Sequence, residues 1–127
     1  MYKEPYHFNV ERYVDPVRFN KIKDFADQLP TPTLVVDLDL IRRKYLELQG
    51  SLPMAGIYYA MKANPMNEVI ELLANLGSNF DVASRYELDQ LISLGISPDR
   101  ISYGNTIKKQ EDIRYFYNKG VRLYATD

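Results

Sequence analysis

Ile57-Tyr58-Tyr59-Ala60-Met61-Lys62-Ala63-Asn64-Pro65 runs apolar and aromatic as far as a lysine, then breaks at an Asn-Pro pair. The run reads as a short β-strand with Lys62 as its last residue, and the proline ends it. A lysine at that place is unusual. Burying an ammonium costs several kcal/mol unless it is paired, and the amine tends to give up its proton instead. An unprotonated amine is a nucleophile for carbonyl groups, aldehydes among them. The ordinary alternative is a lysine that leaves the strand end for solvent.

Outward from this strand the chain is rhythmic. Apolar strand candidates begin at Ile57 (IYYAMK), Asn79 (NFDVAS), Ile101 (ISYGN) and Arg122 (RLYATD), a repeat of about 22 residues. Helical segments separate them. The first, from Met66 to Leu76, carries Val69, Ile70, Leu73 and Leu76 and stops at Gly77. The second opens on a Ser84-x-x-Glu87 capping box and presents Leu88, Leu91 and Ile92. The third carries Ile113, Phe116 and Tyr117 and stops at Gly120. Strands alternating with helices of this length predict βα units and a parallel sheet, either doubly wound or a barrel. Before them, the spacing of Phe19, Ile22, Phe25, Ala26 and Leu29 predicts a helix from Val17 to Leu29, ended by Pro30-Thr31-Pro32. Thr33 to Asp37 reads as a short strand, and Asp39 as the cap of a helix from Leu40 to Gln49 that Gly50 stops.

Alternation along the strands favours the barrel. Tyr58, Ala60 and Lys62 share one face, while Tyr59 and Met61 face the helices. Asp81 and Ala83 then oppose Phe80 and Val82, and Ser102 and Gly104 oppose Ile101 and Tyr103. The helix-facing set is large and apolar. The other set is small or polar at the C-terminal ends, which leaves a cavity where barrel enzymes place their sites.

Sixteen basic residues against seventeen acidic ones leave no electrostatic footprint for nucleic acid or an anionic membrane. Arg42-Arg43-Lys44 and Lys108-Lys109 read as solvated helix faces or helix starts. The absence of cysteine removes disulfides and thiolate chemistry. His7, the single histidine, cannot build a histidine metal cluster or a Ser-His-Asp triad, and is expected at the surface. Met1-Tyr2-Lys3-Glu4-Pro5 lacks the apolar core of a signal peptide, and no run approaches the roughly 18 apolar residues of a membrane span. A soluble cytoplasmic protein is the expectation.

Taken in order, Tyr59–Pro65 (YAMKANP), Phe80–Ser84 (FDVAS) with Glu87, and Ser102–Lys109 (SYGNTIKK), preceded by Thr31–Asp37 (TPTLVVD), closely resemble the fold-type III pyridoxal-phosphate decarboxylases. Within them the chain looks most like the bacterial ornithine or lysine/ornithine decarboxylases, from about Val17 onward. The resemblance implies an α/β protein with a (β/α)8 TIM-type barrel of the alanine racemase/ornithine decarboxylase type, about the first half being present. Residues 1–36 would be an N-terminal segment with a helix and a strand, the strand at Leu34 being expected to join an absent C-terminal β-domain. Residues 37–127 would be the first part of the cofactor-binding barrel.

By the same resemblance Lys62 is the catalytic lysine that holds pyridoxal 5'-phosphate through its aldehyde. Asp81 and Ala60 would line the cofactor. Asp81, one strand over and roughly 5 Å away laterally, would stabilise a protonated nitrogen at Lys62; a cap on the following turn is its ordinary alternative. Glu87 is explained by the capping box. Asn105 and Lys108 are equally explained by a turn and a solvated helix start. Tyr58, Tyr59 and Tyr103 read as core or lining residues. No glycine-rich phosphate loop is visible.

The activity implied for the parent is decarboxylation of ornithine or lysine to putrescine or cadaverine, in polyamine biosynthesis, by a cytoplasmic homodimer. Its partner is a small amino acid, with neither nucleic acid nor membrane. The family places its phosphate loops, the acid at the pyridine nitrogen and a ring-stacking histidine on later strands. A substrate-binding acid and a cysteine come from the β-domain across a dimer interface. The chain therefore reads as the N-terminal portion of such an enzyme, with no turnover expected from it alone. The alternatives are a diaminopimelate or arginine decarboxylase, an alanine racemase, or a non-catalytic decarboxylase-like regulator or cofactor carrier.

Overall fold

The computed structural model describes residues 15–126; His7 lies outside the described residues. The chain divides between Val36 and Asp37 into two compact units. In the first, Asp15 accepts a hydrogen bond from the Arg18 amide at 2.9 Å and Pro16 takes the first helical position, so α1 runs Pro16–Ala26. It ends three residues short of the expected Leu29. The amides of Gln28 and Leu29 fold back on the Phe25 and Ala26 carbonyls, tightening the chain ahead of Pro30. The expected strand at Thr33–Asp37 is absent. A strand exists only as a hydrogen-bonded pair, and among the described residues these have no ladder partner; Leu34 is 81% exposed.

The second unit opens with α2, Leu38–Ser51. Its cap is Asp37, which accepts from the Leu40 amide at 3.0 Å, and not the expected Asp39. Gly50 does not stop it: the helix continues to Ser51, and Gly50 has no left-handed φ. The basic run Arg42-Arg43-Lys44 is solvated as expected, with Lys44 2.8 Å from Glu47.

Four parallel strands follow, β1 Tyr58–Ala60, β2 Asn79–Val82, β3 Ile101–Tyr103 and β4 Leu123–Tyr124, in the spatial order β1-β2-β3-β4. Consecutive order without a reversal is what successive βα units of a barrel give; a doubly wound sheet turns back at a switch point. Helices α3 Asn67–Asn75, α4 Arg85–Ser93 and α5 Gln110–Asn118 make the crossovers. The core lies between them and one sheet face, where Met61, Phe80, Val82, Ile101 and Tyr103 meet Val69, Ile70, Leu73, Leu88, Leu91 and Phe116. Tyr103 stacks on Phe116 with ring centres 3.9 Å apart.

All three crossover helices end alike. Gly77, Gly95 and Gly120 take φ of 93°, 77° and 99°, and the next residue returns its amide to a carbonyl five residues back: Ser78 to Leu73, Ile96 to Leu91, Val121 to Phe116. This double-bonded stop needs a left-handed residue, which glycine adopts without strain. The same substitution should therefore act with opposite sign at two glycines that both have open space around a Cβ. Gly95→Ala lowers stability by about 1 kcal/mol. Gly50→Ala, inside α2, raises it by up to about 1 kcal/mol. Thermal melts of both variants check this, and shifts of the same sign contradict it.

Candidate functional site

A cavity of about 200 Å³ opens at the C-terminal ends of β1, β2 and β3, lined by Ala60, Lys62, Asp81, Ala83, Glu87, Gly104, Asn105 and Thr106. The three residues singled out for the cofactor, Lys62, Asp81 and Ala60, thus share one cavity, and Glu87 and Asn105 join them. Ala83, Gly104 and Thr106 were not singled out as site residues. Their signal is positional, since each lies at a strand end or just beyond.

Lys62 differs from expectation in two respects. Pairing ends at Ala60, opposite Asp81, and Met61-Lys62-Ala63 form a turn of 3-10 helix, so Lys62 stands beyond the strand. It is also exposed, not buried. The Asn-Pro pair bends the chain before another ladder position can form. That turn is nevertheless well tied. Met61 is wholly buried in the helix-facing layer. The Tyr59 hydroxyl donates to the Asn64 carbonyl at 3.1 Å, and Asn64 Oδ1 accepts from the Met66 amide at 3.1 Å. From α4, Gln90 Nε2 donates to the Pro65 carbonyl at 2.7 Å and to Asn67 Oδ1 at 2.8 Å. Burial pushes the Tyr59 phenol above its ordinary range, partly offset by its hydrogen bond, which keeps it a neutral donor.

Asp81 sits on β2 between two partners in register, Ala60 on β1 and Ser102 on β3. It does not cap a turn: the Ser102 hydroxyl donates to its Oδ1 at 2.5 Å. Gly104 is the second contact. A Cβ there would collide with both Asp81 oxygens, so the carboxylate lies over the glycine backbone. Glu87 does cap. Its Oε2 accepts from the Ala83 amide at 2.6 Å and from Ser84 Oγ at 3.2 Å, while Ser84 Oγ receives the Glu87 amide at 3.3 Å.

Lys108 is not part of a solvated helix start. Half-buried, it donates to the carbonyls of Asn105 and Ala125, with its nitrogen 5.2 Å from the Tyr103 ring centre. It fastens the loop after β3 to the end of β4. Tyr103 is core, whereas Tyr58 is 39% exposed. Among the described residues no group of three or more His, Cys, Asp or Glu gathers to hold a metal ion, and no helix is long and apolar enough to cross a membrane.

An amine, Lys62, and a carboxylate, Asp81, thus line one cavity at the rim of a parallel βα sheet. The chain belongs to the family of pyridoxal-dependent decarboxylases, whose pyridoxal binding domain matches residues 38–127. It is 40% identical over 107 residues to the lysine/ornithine decarboxylase of Selenomonas ruminantium, covering 84% of this chain and 27% of that protein. The crystal structure of lysine decarboxylase from the same organism superposes with a TM-score of 0.77 at 40% identity, over 85% of this chain and 29% of that one. Lysine/ornithine decarboxylase from Vibrio vulnificus, solved with putrescine, gives a TM-score of 0.78 at 29% identity, over 90% of this chain and 31% of that one. The chain thus spans less than a third of the length of each of these relatives.

The lining fits one end of the cofactor that this family uses. Lys62 offers an amine of the kind an aldehyde takes, and Asp81 offers a carboxylate in the same cavity. Two acids in the lining, Asp81 and Glu87, disfavour placing a phosphate among them. Gly104→Val, which fills the space of the Asp81 carboxylate, should weaken pyridoxal phosphate binding about tenfold or more in a fluorescence titration. Unchanged affinity would contradict the seating of Asp81 over Gly104.

Proposed function

We propose that this chain forms the cofactor-holding part of an enzyme that decarboxylates ornithine or lysine, giving putrescine or cadaverine for polyamine biosynthesis. The observation that carries this is the convergence of Lys62, Asp81 and Ala60 on one cavity at the C-terminal ends of β1 and β2. The relatives named as lysine/ornithine decarboxylases support the substrate class.

In this role Lys62 would be the residue that holds pyridoxal 5'-phosphate, through its aldehyde. Ala60, with no side chain beyond Cβ, leaves room at the strand end for the ring. Asp81 balances positive charge at the Lys62 nitrogen. Bound pyridoxal phosphate supplies an electron sink for the pair left when carbon dioxide departs. With its amine free, Lys62 could hold a proton on Nζ and deliver it to the substrate carbon. Residues 1–36 serve as the N-terminal segment and 37–127 as the first part of the barrel. The phosphate grip and the reading of the substrate side chain come from the remainder of such an enzyme, which works as a homodimer in the cytoplasm on a small amino acid.

Borohydride reduction after incubation with pyridoxal phosphate, followed by peptide mapping, should place the label on Lys62 ahead of the other lysines. Lys62→Arg should remove that preferred label and leave only weak, scattered modification. Even labelling across surface lysines in the unsubstituted protein contradicts the assignment.

A further inference from the structure

Ser102 lies at the middle of β3, only 7% exposed, in a strand whose other two residues are fully buried. A β-branched or apolar residue is the usual occupant of such a position, and a buried hydroxyl is costly unless its hydrogen bond is made. Here it is made to a charge. Ser102 stands opposite Asp81 in the ladder and donates to Asp81 Oδ1 at 2.5 Å, while the Phe80 carbonyl, at 3.5 Å, is the poorer acceptor. A hydroxyl donating to a carboxylate is the stronger kind of hydrogen bond. Two residues along the same face, Gly104 leaves open the space that the carboxylate fills. β3 therefore presents a Ser-x-Gly seat to Asp81: a donor at one position and bare backbone at the other.

Resting on the cofactor role given above for Lys62 and Asp81, we propose that Ser102 is a positioning residue. It fixes Oδ1 and leaves the second oxygen of Asp81 free for a positive nitrogen at Lys62 when the cofactor is bound. The other charged groups around Asp81 are arranged not to compete. Glu87, on α4, is held by the Ala83 amide and Ser84, and Lys108 is held by the Asn105 and Ala125 carbonyls. Lys62 is the cation that shares the cavity with Asp81. Ser102 itself need not touch the cofactor; it acts through Asp81.

Four proteins test this: unsubstituted, Ser102→Ala, Asp81→Asn and the double variant. Each is titrated with pyridoxal phosphate, reduced with borohydride, and the Lys62 peptide quantified to give an apparent affinity. Ser102→Ala should weaken that affinity about tenfold, the scale of one lost hydrogen bond to a charged group. In the Asp81→Asn background it should change the affinity by less than about twofold, because the partner it acts through is already altered. Ser102→Thr, which keeps the hydroxyl in a β-branched side chain, should restore most of the loss, and melts of all variants should coincide within a few degrees. Equal affinity for the unsubstituted and Ser102→Ala proteins overturns the role of Ser102 alone. An equal drop in both backgrounds also overturns it, marking Ser102 as merely structural. Absence of preferred Lys62 labelling in the unsubstituted protein overturns the cofactor assignment and this role together.

Discussion

The site depends on one row of the parallel ladder, Ala60 opposite Asp81 opposite Ser102. Strand side chains alternate between faces, so a slip of one residue would send Asp81 into the helix layer and Phe80 into the cavity. The register is held from the other face. Phe80, Val82, Ile101 and Tyr103 are each at most 1% exposed, and no polar alternative could occupy their places without an unpaired group in the core. The apolar layer specifies the register, and the register assembles the cavity.

The same division of labour governs the turn after β1. Met61 enters the core, and the residue after it is thrown to the opposite side, which gives Lys62 its direction. Tyr59, Asn64 and Gln90 then hold the turn from three sides. The three glycine stops give α3, α4 and α5 the same C-terminal geometry, while the connections to the strands that follow differ in length.

Much of this was legible in the sequence. The 22-residue rhythm, the stops at Gly77 and Gly120 and the large-versus-small alternation specify parallel βα units and place Lys62 and Asp81 on one side of the sheet, whereas Gly50 reads as a stop and is not one. What was not legible depends on partners distant in the chain. Thr33–Asp37 has strand composition but no ladder among the described residues, because β-propensity describes a surface that must still find a neighbour. The depth of Lys62 could not be read from its apolar predecessors, since Asn64-Pro65 ends the pairing two residues early. Lys108 reads as a solvated charge until Asn105 and Ala125 are seen to offer it carbonyls. The cap at Asp37 in place of Asp39 is a near-degenerate local choice between two aspartates of the same run.

The family is that of the pyridoxal-dependent decarboxylases, and the geometry brings an amine and a carboxylate to one cavity at the rim of a parallel βα sheet; the proposed roles are the amine for an aldehyde and the carboxylate for positive charge there. The most direct measurement is a crystal structure of the protein grown with pyridoxal phosphate. Continuous density from Lys62 Nζ to the cofactor, with the Asp81 carboxylate facing that nitrogen and still accepting from Ser102, is the predicted result. A cofactor bonded to another lysine, or an Asp81 turned away from the cavity, would contradict it.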